Sequence, residues 1–238
     1  GNQKYDAWLH WTVTTKCNLN CVYCFFHHTP TKKTIPEKAI CWEGINISSL
    51  MKVLGKSNKI FRIGFTGGEP FLIPNFIEAC EEITKKHYIS INTNLTSHKI
   101  IKFCEKIDPQ RVVHFHASAH IKELKRLGLM ARYISNFRTC KKMGFCVFSR
   151  ELAYPLLLTE AEKYKKFLKE KGIELTFGAF IGRYADKHYP QAYTEHDIEV
   201  FGLNKTSDSD TRHFYQKGKL CNAGYNVGVV DPDGSIRP

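Results

Sequence analysis

No run in the 238-residue chain approaches the ~18 consecutive apolar residues of a membrane-spanning helix, so no membrane partner is expected. Gly1 to Trp11 is polar and aromatic rather than a secretory signal, which points to a soluble, cytoplasmic protein. Internal repeats and low-complexity tracts are missing too, which excludes repeat arrays and biased disordered segments. What remains is ordinary globular composition, 42% hydrophobic and 24% charged. A chain of this length forms one large domain, or one domain with a small appendage, and hides roughly 70% of its unfolded surface.

Acidic residues are scarce. Thirty-five Lys and Arg face 23 Asp and Glu, a net charge of +12. That excess suits an anionic partner such as nucleic acid or an acidic peptide. Its distribution favours solvated helix faces instead. The basic residues fall in Lys85-Lys86, Lys99 to Lys106, Lys122 to Arg126, Lys141-Lys142 and Lys163 to Lys171, and no run is dense enough for a nucleic-acid arm. Nucleic acid is therefore the disfavoured partner.

Cysteine is plentiful, at nine residues. Without a secretory signal, a disulfide framework is not expected. Cys41, Cys80, Cys104, Cys140 and Cys146 stand alone at long intervals and read as small buried hydrophobes. The other four sit in patterned surroundings.

β-like and helix-like segments alternate along the chain. Ala7 to Thr14, Lys59 to Phe65, Tyr88 to Asn94, Arg111 to Ser118, Phe145 to Arg150 and Glu174 to Ile181 read as strands. Between them, Pro36 to Gly55, Pro74 to His87, Ser97 to Ile107, Ile121 to Met143 (one helix or two) and Thr159 to Lys171 read as helices. Such β-α steps imply a parallel α/β sheet with right-handed crossovers, its chemistry at the C-terminal strand ends. The alternation alone leaves an open doubly wound sheet and a partial barrel equally allowed. From Tyr184 to Lys219 no clear periodicity is visible. Cys221 to Pro238 reads as a β-hairpin turning at Asp231-Pro232-Asp233-Gly234, a candidate appendage.

Cys17, Cys21 and Cys24 form C-x3-C-x2-C directly after the first strand. Three thiols on one strand-end loop suit metal ligation better than core packing. Zinc would need a fourth ligand, with His27 or His28 at hand, whereas a three-cysteine iron–sulfur cluster would leave one iron open. The second strand ends in Gly67-Gly68-Glu69-Pro70, where two glycines allow close backbone approach to a ligand.

Together, CNLNCVYC (Cys17 to Cys24) and GGEP (Gly67 to Pro70) resemble the radical S-adenosylmethionine (radical SAM) enzymes. The resemblance implies a partial (β/α)6 TIM-like barrel over residues 1–183 and a C-terminal extension over 184–238. It implies that Cys17, Cys21 and Cys24 ligate a [4Fe–4S] cluster whose open iron binds S-adenosylmethionine. Reductive cleavage of that cofactor would yield a 5′-deoxyadenosyl radical that abstracts a substrate hydrogen, with reduced flavodoxin or ferredoxin as electron donor. Tyr23 would lie near the adenine, and Gly67, Gly68, Glu69 and Pro70 near the methionine ammonium. Asn94 matches a Thr-Asn pair common in the family, and Ser118 a serine that binds the cofactor's ribose or carboxylate. Relatives often carry Asp-Gly after that serine, where this chain has Ala119-His120. Arg132 stands where relatives place a carboxylate-binding arginine, and Phe180 would pack on adenine. His116 and His120 are candidate substrate-site acids or bases, or else ordinary surface or core residues.

Cys221, separated by twelve residues from Gly234, resembles the opening of the SPASM and twitch extensions, which carry auxiliary iron–sulfur clusters. That resemblance makes Cys221 an auxiliary-cluster ligand and points to modification of a peptide or protein. The alternatives are radical chemistry on a small molecule or RNA, and a zinc-binding interaction module.

Overall fold

The computed structural model describes residues 4–24, 44–203, 223–232 and 235–237. It confirms the α/β partial barrel. Chain order runs β1 (Ala7–Thr14), α1 (Ile47–Gly55), β2 (Phe61–Gly67), α2 (Phe76–Thr84), β3 (Tyr88–Thr93), α3 (Lys99–Lys106), β4 (Val112–Ser118), α4 (Ile121–Arg126), α5 (Met130–Lys142), β5 (Val147–Leu152), α6 (Ala161–Lys169), β6 (Leu175–Gly178). A short antiparallel pair β7 (Gly182–Tyr184) and β8 (Lys187–Tyr189), helix α7 (Glu195–Phe201), and strands β9 (Val227–Val230) and β10 (Ile236–Arg237) complete it.

β1 to β6 lie side by side in chain order and pair in parallel. Alternation along each strand sorts two faces. Ile63, Phe65, Ile89, Ile91, Phe115 and Ala117 point outward under the helices and are buried. Phe65, Phe76, Phe71, Phe103, Phe115 and Phe145 form an edge-to-face chain at ring spacings of 5.1–5.6 Å, tying the sheet to α2 and α3. The alternate residues face the barrel interior and are polar. Arg62 Nε donates to Ser90 Oγ at 3.2 Å, and Asn92 Nδ2 to Thr66 Oγ1 at 3.4 Å.

The chain departs from the sequence reading at element ends. Residues 36–43 of the expected Pro36 to Gly55 helix lie outside the described residues, and α1 starts after Asn46, whose side chain caps Ser49 N at 3.0 Å. The stretch Ile121 to Met143 is two helices, because the chain breaks at Gly128 with φ +66°. The fifth strand runs two residues beyond Arg150, and the sixth ends three residues short of Ile181. Tyr184 to Lys219 is not irregular throughout, since it contains part of the β7–β8 pair and α7. The terminal hairpin forms as β9 and β10, and β9 pairs in parallel with β1 from Trp8↔Val227 to Trp11↔Val230, continuing the barrel sheet. Cys80, Cys104 and Cys140 are buried as expected, whereas Cys146 is exposed; Cys41 lies outside the described residues.

Candidate active site

A cavity of about 1080 Å³ opens at the C-terminal ends of the strands. Cys17, Cys21 and Cys24 line one side of it. Their loop is pinned at three places: past the end of β3, on α4 and on β5. Asn18 donates to Thr96 Oγ1 at 2.9 Å and accepts from Asn94 Nδ2 at 2.8 Å, beyond β3. Asn20 N donates to Glu123 Oε1 on α4 at 2.9 Å, and Tyr23 OH to Glu151 Oε1 on β5 at 2.9 Å. Leu19, between the first two cysteines, is buried in the core. Asn18, Leu19, Asn20 and Tyr23 of CNLNCVYC are thus anchors that hold the thiols in place.

Cys17 Sγ accepts from Leu19 N at 3.4 Å and Asn94 Nδ2 at 3.8 Å. Burial pushes both the Cys17 and Cys21 thiols up, Cys21 strongly, with Cys17 and Glu151 adding to it. A bare thiolate is therefore disfavoured there, and a bound cation supplies the missing compensation. No three His, Cys, Asp or Glu side chains among the described residues converge on a single-ion position. His27 and His28, the candidate fourth ligands for zinc, lie outside the described residues. A cubane asks for something else, one thiolate per iron and donors to the sulfurs, and this donor set fits it.

The glycine loop packs against the cysteine loop. Gly68 N donates to Thr14 O at 2.7 Å and Glu69 N to Lys16 O at 2.8 Å. Gly67 has φ +135°, and a Cβ there would stand 2.2 Å from Thr14 O; at Gly68 it would stand 1.9 Å from Lys16 O. The close approach that demands glycine is therefore to the backbone entering Cys17, and both glycines also line the cavity. Glu69 turns away from it. Its carboxylate is 1% exposed and accepts from Phe71 N, Thr93 Oγ1 and Asn94 N at 2.8–3.1 Å. Its side-chain oxygens are spent on joining the ends of β2 and β3, which leaves the backbone of this loop as what it can offer a ligand. Burial raises its pKa to about 7 against the pull of those hydrogen bonds. Pro70 is buried behind it as the first residue of a 3-10 turn, Pro70–Leu72.

Ser118, His116, His120, Arg150 and Phe180 also line the cavity. Arg150 Nε is buried without a hydrogen-bond partner among the described residues, and a Cβ at Gly178 would come within 2.6 Å of it. Nε is closed off against Gly178, and because Arg150 lines the cavity its guanidinium brings positive charge there, which suits an anionic group such as a carboxylate. Arg132 is not brought to the site; it sits half-buried on α5, away from the cavity lining. Parity would have found Arg150, since it shares its strand face with Phe148 and Leu152 at a strand's C-terminal end. Tyr23, Tyr154 and Phe180 form a continuous aromatic wall, with ring centroids 5.1 Å apart at each step. Tyr23 and Phe180 were legible as candidates, while Tyr154, just past β5, carried no motif. His116 stacks on Phe148 at 5.0 Å, and burial, with Arg150 nearby, lowers its pKa to about 4. Asn94 acts beneath the site through Cys17 and Asn18. Cys221 lies outside the described residues.

A parallel partial barrel with a three-cysteine loop at the end of its first strand and a cavity over the strand ends defines a class of cluster-bearing barrel enzymes. The profile of the Radical SAM superfamily matches residues 11–170, and the chain belongs to that superfamily. Membership implies S-adenosylmethionine and a [4Fe–4S] cluster as cofactors. A cysteine-type anaerobic sulfatase-maturating enzyme of Clostridium perfringens is 33% identical over 92 residues, 35% of this chain and 25% of that protein. The solved structure of anSMEcpe with bound AdoMet superposes with a TM-score of 0.58 at 22% identity, over 82% of this chain and 57% of the other. Streptococcus suis SuiB bound to its precursor peptide SuiA gives a TM-score of 0.59 at 16% identity, over 98% and 59%. The chain thus spans well under two thirds of the length of these relatives. No helix among the described residues is long and apolar enough to cross a membrane.

Proposed function

We propose that the protein is a radical SAM enzyme that modifies a peptide or protein by hydrogen abstraction. The observation that carries this reading is the convergence of Cys17, Cys21 and Cys24 on a cavity that Ser118 and Arg150 also line. Cys17, Cys21 and Cys24 would hold a [4Fe–4S] cluster, which when bound would supply the reducing chemistry for radical generation from S-adenosylmethionine. Asn94 and Leu19 N donate to Cys17 and favour its thiolate. Arg150 and Ser118 take the cofactor's carboxylate and hydroxyl groups, and Gly67 and Gly68 offer backbone to its ammonium. The Tyr23–Tyr154–Phe180 wall packs on the adenine and keeps water from it.

A peptide substrate is supported by two relatives, one named for sulfatase maturation and one solved with its precursor peptide. It is also supported by exposed apolar side chains on the cavity lining, Val22 at 63% and Ile181 at 55% exposure, which suit an apolar side chain of an extended ligand. Cys221 serves an auxiliary cluster, and a cytoplasmic flavodoxin or ferredoxin provides electrons. The test is anaerobic reconstitution followed by turnover. About four irons per chain, lost in C17A, C21A and C24A, and an EPR signal perturbed by S-adenosylmethionine are expected. Synthetic cysteine- and serine-containing peptides should then raise 5′-deoxyadenosine yield and lose hydrogen by mass spectrometry. One zinc per chain and no iron would sink the reading; iron and cofactor cleavage without any peptide response would move the substrate to a small molecule.

A further inference from the structure

Position 120 opens α4 with φ +36° and ψ +47°, a left-handed conformation that a β-substituted side chain adopts at a cost. Glycine would be free of that cost, yet the residue is histidine. Its imidazole is held in the cavity wall, 24% exposed. Nδ1 lies 3.2 Å from Tyr23 OH, and Tyr23 OH donates to Glu151 Oε1 at 2.9 Å. Glu151 is itself fixed by Ile121 N at 2.7 Å and Leu152 N at 2.9 Å.

These contacts set the tautomer. Tyr23 has one hydroxyl hydrogen and gives it to Glu151, so its oxygen must accept from His120 Nδ1–H. Nε2 then carries the lone pair, and it has no partner among the described residues. The arrangement repeats the logic of a carboxylate-oriented histidine base, with a tyrosine hydroxyl between the two groups.

We propose that His120 is the proton acceptor of the substrate site. This rests on the peptide-modifying reading above. A substrate X–H group (thiol, hydroxyl or amide) beside the carbon that loses hydrogen gives its proton to Nε2. The X–H bond breaks with its electron pair left on X, the N–H bond forms, and the imidazolium is offset by Glu151, 3.9 Å from Nδ1. Four groups bear on the imidazole: Tyr23 from the cysteine loop, Glu151 from β5, Glu123 from α4 and His116 from β4. Burial outweighs the two carboxylates and lowers the His120 pKa, which keeps the resting ring neutral and able to accept.

The test has two arms. In the reconstituted enzyme at pH 7, diethyl pyrocarbonate should carbethoxylate His120, read by peptide mass mapping. A His120 that stays unmodified when folded but reacts in urea would overturn the open Nε2. In the second arm, product formation on the synthetic peptides above should fall at least ~100-fold in H120G and H120N. H120G, which leaves room for a small base, should be restored by exogenous imidazole, with rates that follow the basicity of substituted imidazoles. H120G should also unfold at a urea concentration no lower than wild type, since it relieves the left-handed backbone. Near-wild-type rates in H120N, or loss without imidazole rescue in a folded H120G, would overturn the proposal. Should no peptide react even with the wild-type enzyme, the function reading fails instead, and the carbethoxylation arm still decides on Nε2.

Discussion

A carboxyl group taken out of water costs several kcal/mol unless its oxygens find partners, and Glu69 meets that cost with three donors from two strand ends. The balance still leaves its pKa at about 7, above the 4.5 of an ordinary glutamate. The folded protein therefore holds this proton over a range where the unfolded chain has released it. Stability from this group is full below about pH 4.5 and is lost as pH rises through 7, on the order of 3 kcal/mol in all. E69Q does not titrate, so the difference between wild-type and E69Q urea-unfolding curves should change with that sign between pH 5 and pH 7.5. A pH-independent difference would refute the raised pKa. Gly68 gives a steeper test. A methyl group there meets the Lys16 carbonyl, which is backbone and cannot swing aside. G68A should displace the cysteine loop and drop reconstituted iron to well under half of wild type, measured per folded chain. At this scale the cysteines and glycines were legible because their spacing is chemistry. The direction of Glu69 was not, because it depends on how strand ends meet in three dimensions, whereas Arg150 carried only the faint signal of its parity near the end of β5.

The six parallel strands were readable for a physical reason: covered on their outer faces by helices, they carry β-branched and aromatic runs bounded by helical periodicity. The elements after residue 181 lacked that signal. β7 and β8 are three residues each, too short for a period to register. Helix α7 did announce its start, since Thr194 and Asp197 spell a capping box. Thr194 Oγ1 accepts from Asp197 N at 3.1 Å, and Asp197 Oδ2 accepts from Thr194 N at 2.8 Å. Polar neighbours hid it, with Ile198 and Phe201 as its buried residues. Because Phe201 packs on Phe177 of β6 at 5.1 Å, the cap supports the far edge of the barrel. T194A should cost about 1 kcal/mol in equilibrium unfolding. A loss under a few tenths would mean that tertiary packing alone holds α7.

The molecule as a whole is asymmetric about its cluster loop. On one side β1 is flanked by β9, which arrives from the far end of the sequence and could not be read as a barrel strand from a hairpin motif alone. On the other side, the anchors of the cysteine loop among the described residues come from β2, β3, α4 and β5: the glycine loop, Asn94 with Thr96, Glu123 and Glu151. Stability and cluster binding should therefore separate. A chain ending at residue 203 loses the β9 pairing and the burial of Val230, and leaves β1 as an open edge from Trp8 to Trp11. Losing a few kcal/mol in a domain of this size should lower the melting temperature by roughly 5–10 °C. The shortened chain should nonetheless reconstitute to about four irons that respond to S-adenosylmethionine, because the hydrogen bonds that pin the cysteine loop among the described residues all lie before residue 203. Melting by circular dichroism and iron per chain, measured on one preparation, decide the matter. Joint loss of both would mean that β1 needs its outer neighbour to present the cysteine loop at all.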